Sequence, residues 1–293
     1  MNIDKWINRN TTSLNGKVVA ITGATGGLGS NLCRHIASLG ASIIMLDRNM
    51  EKSLTLKSRL LEEFPDAQIE NIRLDLSQIK SVKEVVEKLK NKKLDFLILN
   101  AGVFNVPLKK LDLGYNNIFQ VNFISPYFLA KSLLPTLRKS NGKVIVVSSI
   151  AHKFAKFSEA DIDYSNNKNA NKIYGNSKRF LMASLFELFK NEKCVKLVVT
   201  HPGVTPTAMT THYHKAINWL VKFGMKLLFP SPQKAVLNLL AGMFADCDYQ
   251  EWIGPKNFDV WGKPKKKKLD TCNPSECEQI FKFAEEIYNS FNN

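Results

Sequence analysis

Residues Val18-Val19-Ala20-Ile21-Thr22-Gly23-Ala24-Thr25-Gly26-Gly27-Leu28-Gly29 decide the fold. The first five form a short apolar run that stops at glycine, the pattern of a buried strand. Beyond Gly29, Leu32, Ile36 and Leu39 recur at helical spacing until Gly40. A strand, a glycine-rich turn and a helix therefore follow one another directly. In such a turn, residues without a Cβ let backbone N–H groups approach a pyrophosphate, and the helix N-terminus adds partial positive charge. Glycine clusters are common in loops. The strand before this one and the helix after it give it meaning.

Further apolar runs end in the same way. Strands are expected at Ser42–Leu46, near Ile69–Leu74, and at Leu94–Leu99, Val144–Val147 and Lys196–Thr200. Between them helical patterns fall at about Met50–Phe64, Ile79–Leu89, Leu113–Leu137 and Ile173–Phe189. This alternation predicts right-handed βαβ units. No Pro/Gly/Ser-rich linker and no internal repeat interrupts it. Residues 1–293 are read as a single doubly wound α/β domain of Rossmann type, with a mostly parallel seven-stranded sheet and helices on both faces. The stretch 204–232 stands apart. In it Ile217, Leu220, Val221, Gly224, Leu227 and Leu228 share a helical face. A lid over a substrate pocket is the first reading of 204–232, plain packing the second and a membrane-surface helix at 216–229 the third.

Of 293 residues, 44% are hydrophobic and 23% charged, which excludes a wholly disordered, collagenous or disulfide-dense chain. No apolar run reaches the roughly 18 residues of a membrane span, and the polar start MNIDKWINRNTTSLN predicts no secretory signal. The formal charge is +15. Lys265-Lys266-Lys267-Lys268 lacks interleaved aromatics and reads as a solvated C-terminal loop before a helix, not a nucleic-acid patch. Cys33, Cys194, Cys247, Cys272 and Cys277 are odd in number and scattered, as free thiols in a reducing cytoplasm are. His212 and His214 have no evident third ligand, so no metal site is expected. Trp219, Phe223 and Phe229 fit either a bulky apolar pocket or the core.

The spacing Gly23-x3-Gly27-x-Gly29 differs from the G-x-G-x-x-G of general dinucleotide folds and resembles the T-G-x3-G-x-G of short-chain dehydrogenase/reductases of the classical type. Other segments carry the same resemblance in the same order. Leu14-Asn15-Gly16-Lys17 is similar to that family's lead-in, Asp75-Leu76 to its adenine contact, and Asn100-Ala101-Gly102 to its N-A-G motif. Asn122, Ser149, Tyr174 and Lys178 match its catalytic tetrad, and His201-Pro202-Gly203 through Thr207 its P-G-x3-T stretch near the nicotinamide. The long gap from Ser149 to Tyr174 and the sequence Ser148-Ser149-Ile150-Ala151-His152 most resemble the retinol-dehydrogenase-like branch. The resemblance implies NAD(P) as cofactor. The implied contacts are Gly23, Thr25, Gly27, Leu28, Gly29, Asp47, Arg48, Asp75, Leu76, Asn100, Ala101, Gly102, Tyr174, Lys178, Pro202, Gly203 and Thr207.

Carbonyl reduction needs a hydride donor on one face and a proton donor at the oxygen. Tyr174 and Lys178, four apart on a helix, share a face. An ammonium nearby is expected to lower the phenol pKa from its usual value of about 10. Ser149, at a strand end, can donate to the developing alkoxide. Asn122 is expected to support a water-linked proton path to Lys178, and the resemblance gives Lys178 the cofactor's ribose hydroxyls as well. His152 and His201 read as supporting or packing residues.

The cofactor signals conflict. Asp47, ending the second strand, can accept both ribose hydroxyls of NAD and repel a 2′-phosphate. Arg48 follows, and the branch resembled holds the phosphate of NADP with an arginine there. Asp47 tips the reading to NAD. The function expected is hydride transfer between a nicotinamide dinucleotide and a small carbonyl or alcohol substrate, in the cytoplasm, with a homo-oligomer compatible. The alternative is a catalytically idle Rossmann domain that senses cofactor or binds a partner.

Overall fold

The computed structural model describes residues 2–155, 157–158, 168–204, 231–269, 271 and 273–291. Its elements follow the expected rhythm. A short helix α1 (Ile3–Asn10) precedes β1 (Val18–Thr22), α2 (Gly27–Ser38), β2 (Ser42–Asp47), α3 (Met50–Glu63) and β3 (Ile69–Arg73). Then come α4 (Ile79–Leu89), β4 (Phe96–Leu99), a single turn α5 (Asn117–Phe119) and α6 (Ser125–Arg138). After β5 (Lys143–Val147), α7 (Ala170–Phe189) and β6 (Lys196–Thr200), the chain closes with α8 (Pro232–Phe244), β7 (Glu251–Asn257), β8 (Trp261–Lys268) and α9 (Pro274–Ser290).

These strands form one sheet in the order β3-β2-β1-β4-β5-β6-β7-β8. Pairing is parallel from β3 through β7, and β8 runs antiparallel to β7. The order reverses direction between β1 and β4, the crevice where open α/β sheets place their ligands. The central strands are apolar on both faces because helices cover both. Ile44, Leu97, Val144 and Val199 pack with Val82, Leu133 and Leu185 in one layer. Val19, Ile21, Ile43 and Ile145 pack with Leu32, Ile36 and Leu240 in the other.

Three expectations are corrected. The sheet has eight strands, not seven. The lysine run is no loop: Lys265–Lys268 lie in the edge strand β8. An edge strand needs a partner on only one side, and a row of lysines discourages further pairing, so a polar composition is compatible with strand there. The helix expected over Leu113–Leu137 begins later, and residues Gln120–Ile124 form a π-turn between α5 and α6. Of the lid expected at 204–232, residues 205–230, and with them the amphipathic stretch 216–229, lie outside the described residues. No helix among the described residues is long and apolar enough to cross a membrane.

Candidate active site

The glycine turn is shaped by two steric demands. Gly23 has φ +67°, and a Cβ there would lie 3.0 Å from Ala101 Cα. At Gly29 a Cβ would sit 2.3 Å from the Gly23 carbonyl oxygen, so only glycine lets the first turn of α2 close against β1. Asn100 fastens the same turn. Its Nδ2 donates to the carbonyls of Thr22 and Gly23, both at 2.9 Å, while Thr22 Oγ1 accepts from the Asn100 and Ala101 amides at 3.0 Å. The side chain of Asn100 thus holds the two strand ends together, and the backbone of 100–102 is left to line the crevice.

That crevice holds two adjoining cavities. One, of about 380 Å3, is walled by Thr25, Gly27, Asp47, Arg48, Lys52 and Asp75 among others. The second, of about 430 Å3, is walled by Ser149, Tyr174, Lys178, Pro202 and Gly203 together with apolar Phe104, Ile150 and Phe154. Leu28, Asn100 and Gly102 line both, so the two form one groove from β2 to the end of β6. Its length and its glycine floor fit a dinucleotide, with the first cavity at the adenosine end. Leu76 is buried, and its carbonyl accepts from Ser125 Oγ at 2.7 Å. Asp75 holds Ser77 through its amide (3.0 Å) and hydroxyl (2.7 Å).

Asp47, expected to accept the ribose hydroxyls, lines the first cavity and is also hydrogen-bonded within the protein. Its carboxylate is 2% exposed. Oδ1 accepts from the Thr25 amide and hydroxyl, both at 3.0 Å, and Oδ2 from Ser53 Oγ at 2.8 Å. It therefore ties the glycine turn to β2 and α3, and most of its acceptor capacity is spent inside the protein. Arg48 is exposed on the cavity wall beside Lys52. Ser53 escaped the sequence reading because nothing marks a helix serine as the partner of a carboxylate six residues earlier.

At the other end, Tyr174 and Lys178 project from α7, which Asn169 caps by accepting from the Asn171 and Lys172 amides. Gly175 is required there, since a Cβ would meet the Ala151 carbonyl at 2.7 Å. Tyr174 is 7% exposed and lines the cavity together with Ser149. Burial pushes its phenol up to about 12, with Ser149 opposing. Lys178 Nζ lies 6.0 Å from the Tyr174 ring centroid and donates to the Val147 carbonyl at 3.0 Å. Burial brings the ammonium down to about 8. Gly102 makes room for it, because a Cβ there would stand 3.2 Å from both Lys178 Nζ and Asn122 Oδ1.

Asn122 sits in the π-turn, a local widening often found at functional sites. Its side chain accepts from the Val103 amide at 2.8 Å and donates to the Val103 carbonyl at 2.9 Å. It positions the segment after β4, and its Nδ2 also donates at 3.2 Å to the Oγ of Ser177, the residue before Lys178 on α7. His152 and His201 flank Trp252, edge-on at 5.2 Å and stacked at 5.5 Å. Burial brings both imidazoles down to about 4. His152 Nδ1 meets the Ser149 carbonyl at 2.5 Å, a contact that residue types and spacing do not signal. Phe104, also missed, packs on Tyr174 with centroids 4.7 Å apart. Pro202 and Gly203 line the groove as expected, whereas Thr207, His212 and His214 lie outside the described residues. Among the described residues no three His, Cys, Asp or Glu side chains gather as metal ligands do.

A doubly wound α/β fold with a glycine turn at the strand reversal and a Tyr–Lys helix facing the same groove defines a class of nucleotide-dependent oxidoreductases. Comparison with known proteins makes this specific. The family model for short chain dehydrogenases matches residues 17–218. The chain is 31% identical over 219 residues to the human polyprenol dehydrogenase, covering 72% of this chain and 66% of that protein. It is 35% identical over 218 residues to a chicken WW domain-containing oxidoreductase, covering 71% of this chain and 52% of that one. The matched region thus spans between about half and two thirds of these relatives' length. A solved protein from Mycobacterium paratuberculosis superposes with TM-score 0.77 at 21% identity, covering 96% of each chain. A Pseudomonas aeruginosa structure described as an active-site complex with NADP gives 0.62 at 23%, covering 80% of this chain and 91% of that one. The chain belongs to the short-chain dehydrogenase family.

Proposed function

We propose that this protein transfers a hydride between a nicotinamide dinucleotide and an apolar carbonyl or alcohol, with Tyr174 as the proton-transferring residue. The observation that carries this is the meeting of Tyr174, Ser149 and Lys178 on the wall of a cavity continuous with the glycine turn. An idle cofactor sensor has no use for a buried phenol, a serine and an ammonium gathered on that wall. The bound cofactor supplies or accepts the hydride. Gly23, Gly27, Leu28 and Gly29 offer backbone to its phosphates, Asp75 and Leu76 stand at its adenine end, and Lys178, Pro202 and Gly203 at its nicotinamide end.

The protein's own groups divide the remaining work. Ser149 and Tyr174 line the same cavity, where their hydroxyls can donate to a carbonyl oxygen as it becomes an alkoxide, and donors fixed in advance stabilise that charge. With its phenol pushed up to about 12, Tyr174 carries its proton at neutral pH, the state needed to protonate an alkoxide. Phe104, Ile150, Phe154 and Val204 exclude water and favour an apolar substrate. A relative named for polyprenol is consistent with that taste.

For the cofactor, the geometry weighs against the NAD preference read from Asp47. Its carboxylate is buried on Thr25 and Ser53, while Arg48 and Lys52 present two cations to the cavity. A guanidinium and a phosphate form strong, often bidentate pairs. NADPH is therefore the cofactor this arrangement favours. Turnover of a panel of apolar aldehydes, ketones and alcohols with NADPH and NADH, read by nicotinamide fluorescence, tests both proposals. Absence of turnover across the panel, with cofactor bound, favours the idle sensor.

A further inference from the structure

The hairpin joining β7 to β8 ends in a strained, outward-facing tip. Phe258 and Asp259 both have positive φ, 51° and 59°. For a bulky residue such as phenylalanine this is an outlier, more readily met by asparagine or glycine. The strain is not offset by packing, for Phe258 is 82% exposed. Trp261, 43% exposed, lies beside it with ring centroids 6.2 Å apart.

The tip is held rigidly from below. Asp259 accepts from Lys153 Nζ at 2.7 Å and Lys267 Nζ at 2.5 Å, and Lys267 also donates to the Pro255 carbonyl at 2.6 Å. The Val204 amide donates to the Val260 carbonyl at 3.1 Å. Gly203, at φ +88°, is required where a Cβ would stand 2.4 Å from the Val260 oxygen. The tip therefore abuts the wall of the catalytic cavity, which 203–204 help to form. Next to Lys153 on that wall stands Phe154, 80% exposed. Three large aromatic side chains thus face water beside the mouth of an apolar cavity, where isolated exposure would need no explanation but a group does.

Cations accompany them. Lys256, Lys263 and Lys265 are exposed and, among the described residues, have no ion-pair partner, whereas Lys266 pairs with Glu251 at 3.0 Å. The chain's formal charge is +15. Exposed aromatics flanked by unpaired lysines match an anionic bilayer interface, where rings enter the headgroup layer and ammonium groups meet lipid phosphates and carboxylates.

We infer that the β7–β8 tip, with Phe154, docks this protein on anionic phospholipid membranes and so opens the cavity mouth toward apolar substrates dissolved in the bilayer. The docking does not depend on the hydride-transfer reading. Purified full-length chain is mixed with phosphatidylcholine vesicles that contain or lack phosphatidylserine, and partition is measured by co-sedimentation. Binding is expected with phosphatidylserine, weaker by at least tenfold without it. Each lysine near an anionic surface contributes about fivefold, so Lys263→Gln with Lys265→Gln should lower partition about 25-fold. Phe258→Asn with Trp261→Gln should lower it at least tenfold, and asparagine suits the positive φ, so folding is retained. Tyr174→Phe should bind vesicles like wild type, which separates docking from catalysis. No partition of wild type, or partition unchanged in the Phe258/Trp261 pair, overturns the inference. Partition lost only with the lysine pair marks a nonspecific polyanion surface, one that would serve an acidic protein equally, and also overturns it.

Discussion

Replacing Arg48 with alanine should weaken NADPH binding and spare NADH. The guanidinium is exposed on the wall of the adenosine cavity, with Lys52 beside it. A hydrogen bond to a charged group is worth about 1.5–3 kcal/mol. Exposure and screening reduce that to about 1–2 kcal/mol. At about 1.4 kcal/mol per decade, the NADPH dissociation constant should rise roughly 5- to 30-fold. NADH, with no 2′-phosphate, should change by less than about twofold on the same argument. Asp47→Asn is the complementary change. The amide oxygen can still accept from Thr25 and its nitrogen can donate to Ser53, so the turn survives. One negative charge disappears near the phosphate, and NADPH should tighten severalfold while NADH holds. Calorimetry or nicotinamide fluorescence on wild type and both variants gives the constants. A wild type preferring NADH, a tenfold loss of NADH in Asp47→Asn and an indifferent Arg48→Ala would together refute the reasoning and restore Asp47 as the reader of the ribose.

Gly29→Ala should abolish binding of either cofactor and lower the melting temperature, because its Cβ would meet the Gly23 oxygen at 2.3 Å; thermal shift with and without NADPH reads both. His152 and His201 titrate near 4 in the fold against about 6.5 in the unfolded chain, so between those values the unfolded state binds the extra protons. Stability should therefore fall as pH drops from about 6.5 toward 4, by up to about 1.4 kcal/mol per pH unit for each histidine. Urea midpoints at several pH values check the slope, which His152→Gln should roughly halve. Phe104→Ala removes the ring packed on Tyr174 at 4.7 Å, and kcat should fall while cofactor affinity is kept; a fall in affinity alone argues against it.

Much of the parallel sheet was legible because a strand buried on both faces writes itself as an apolar run ended by glycine or a charge. Val18–Thr22 and Lys196–Thr200 stand where the pattern put them. The eighth strand was hidden because Trp261–Lys268 lies at the edge, where lysines serve as well as valines. The π-turn at Gln120–Ile124 was hidden for another reason: apolar spacing reports a continuous buried face, not the hydrogen-bond register beneath it. In the site, the family resemblance grouped Tyr174, Lys178 and Ser149, and the three line one cavity. What the resemblance could not convey was allocation of hydrogen bonds. A strand-terminal aspartate does not tell from the sequence that it also holds, as Asp47 does, the Thr25 hydroxyl and Ser53.

The most direct test of the proposed chemistry is turnover by Tyr174→Phe, measured beside its NADPH dissociation constant on any substrate the wild type reduces. The ring stays in its place against Phe104, and only the hydroxyl is lost. A positioned general acid is worth about 10²–10⁴-fold, so kcat should fall by at least about 100-fold with the dissociation constant unchanged. Turnover within about tenfold of wild type, given that expected loss, would contradict the assignment of Tyr174 and with it the proposed mechanism.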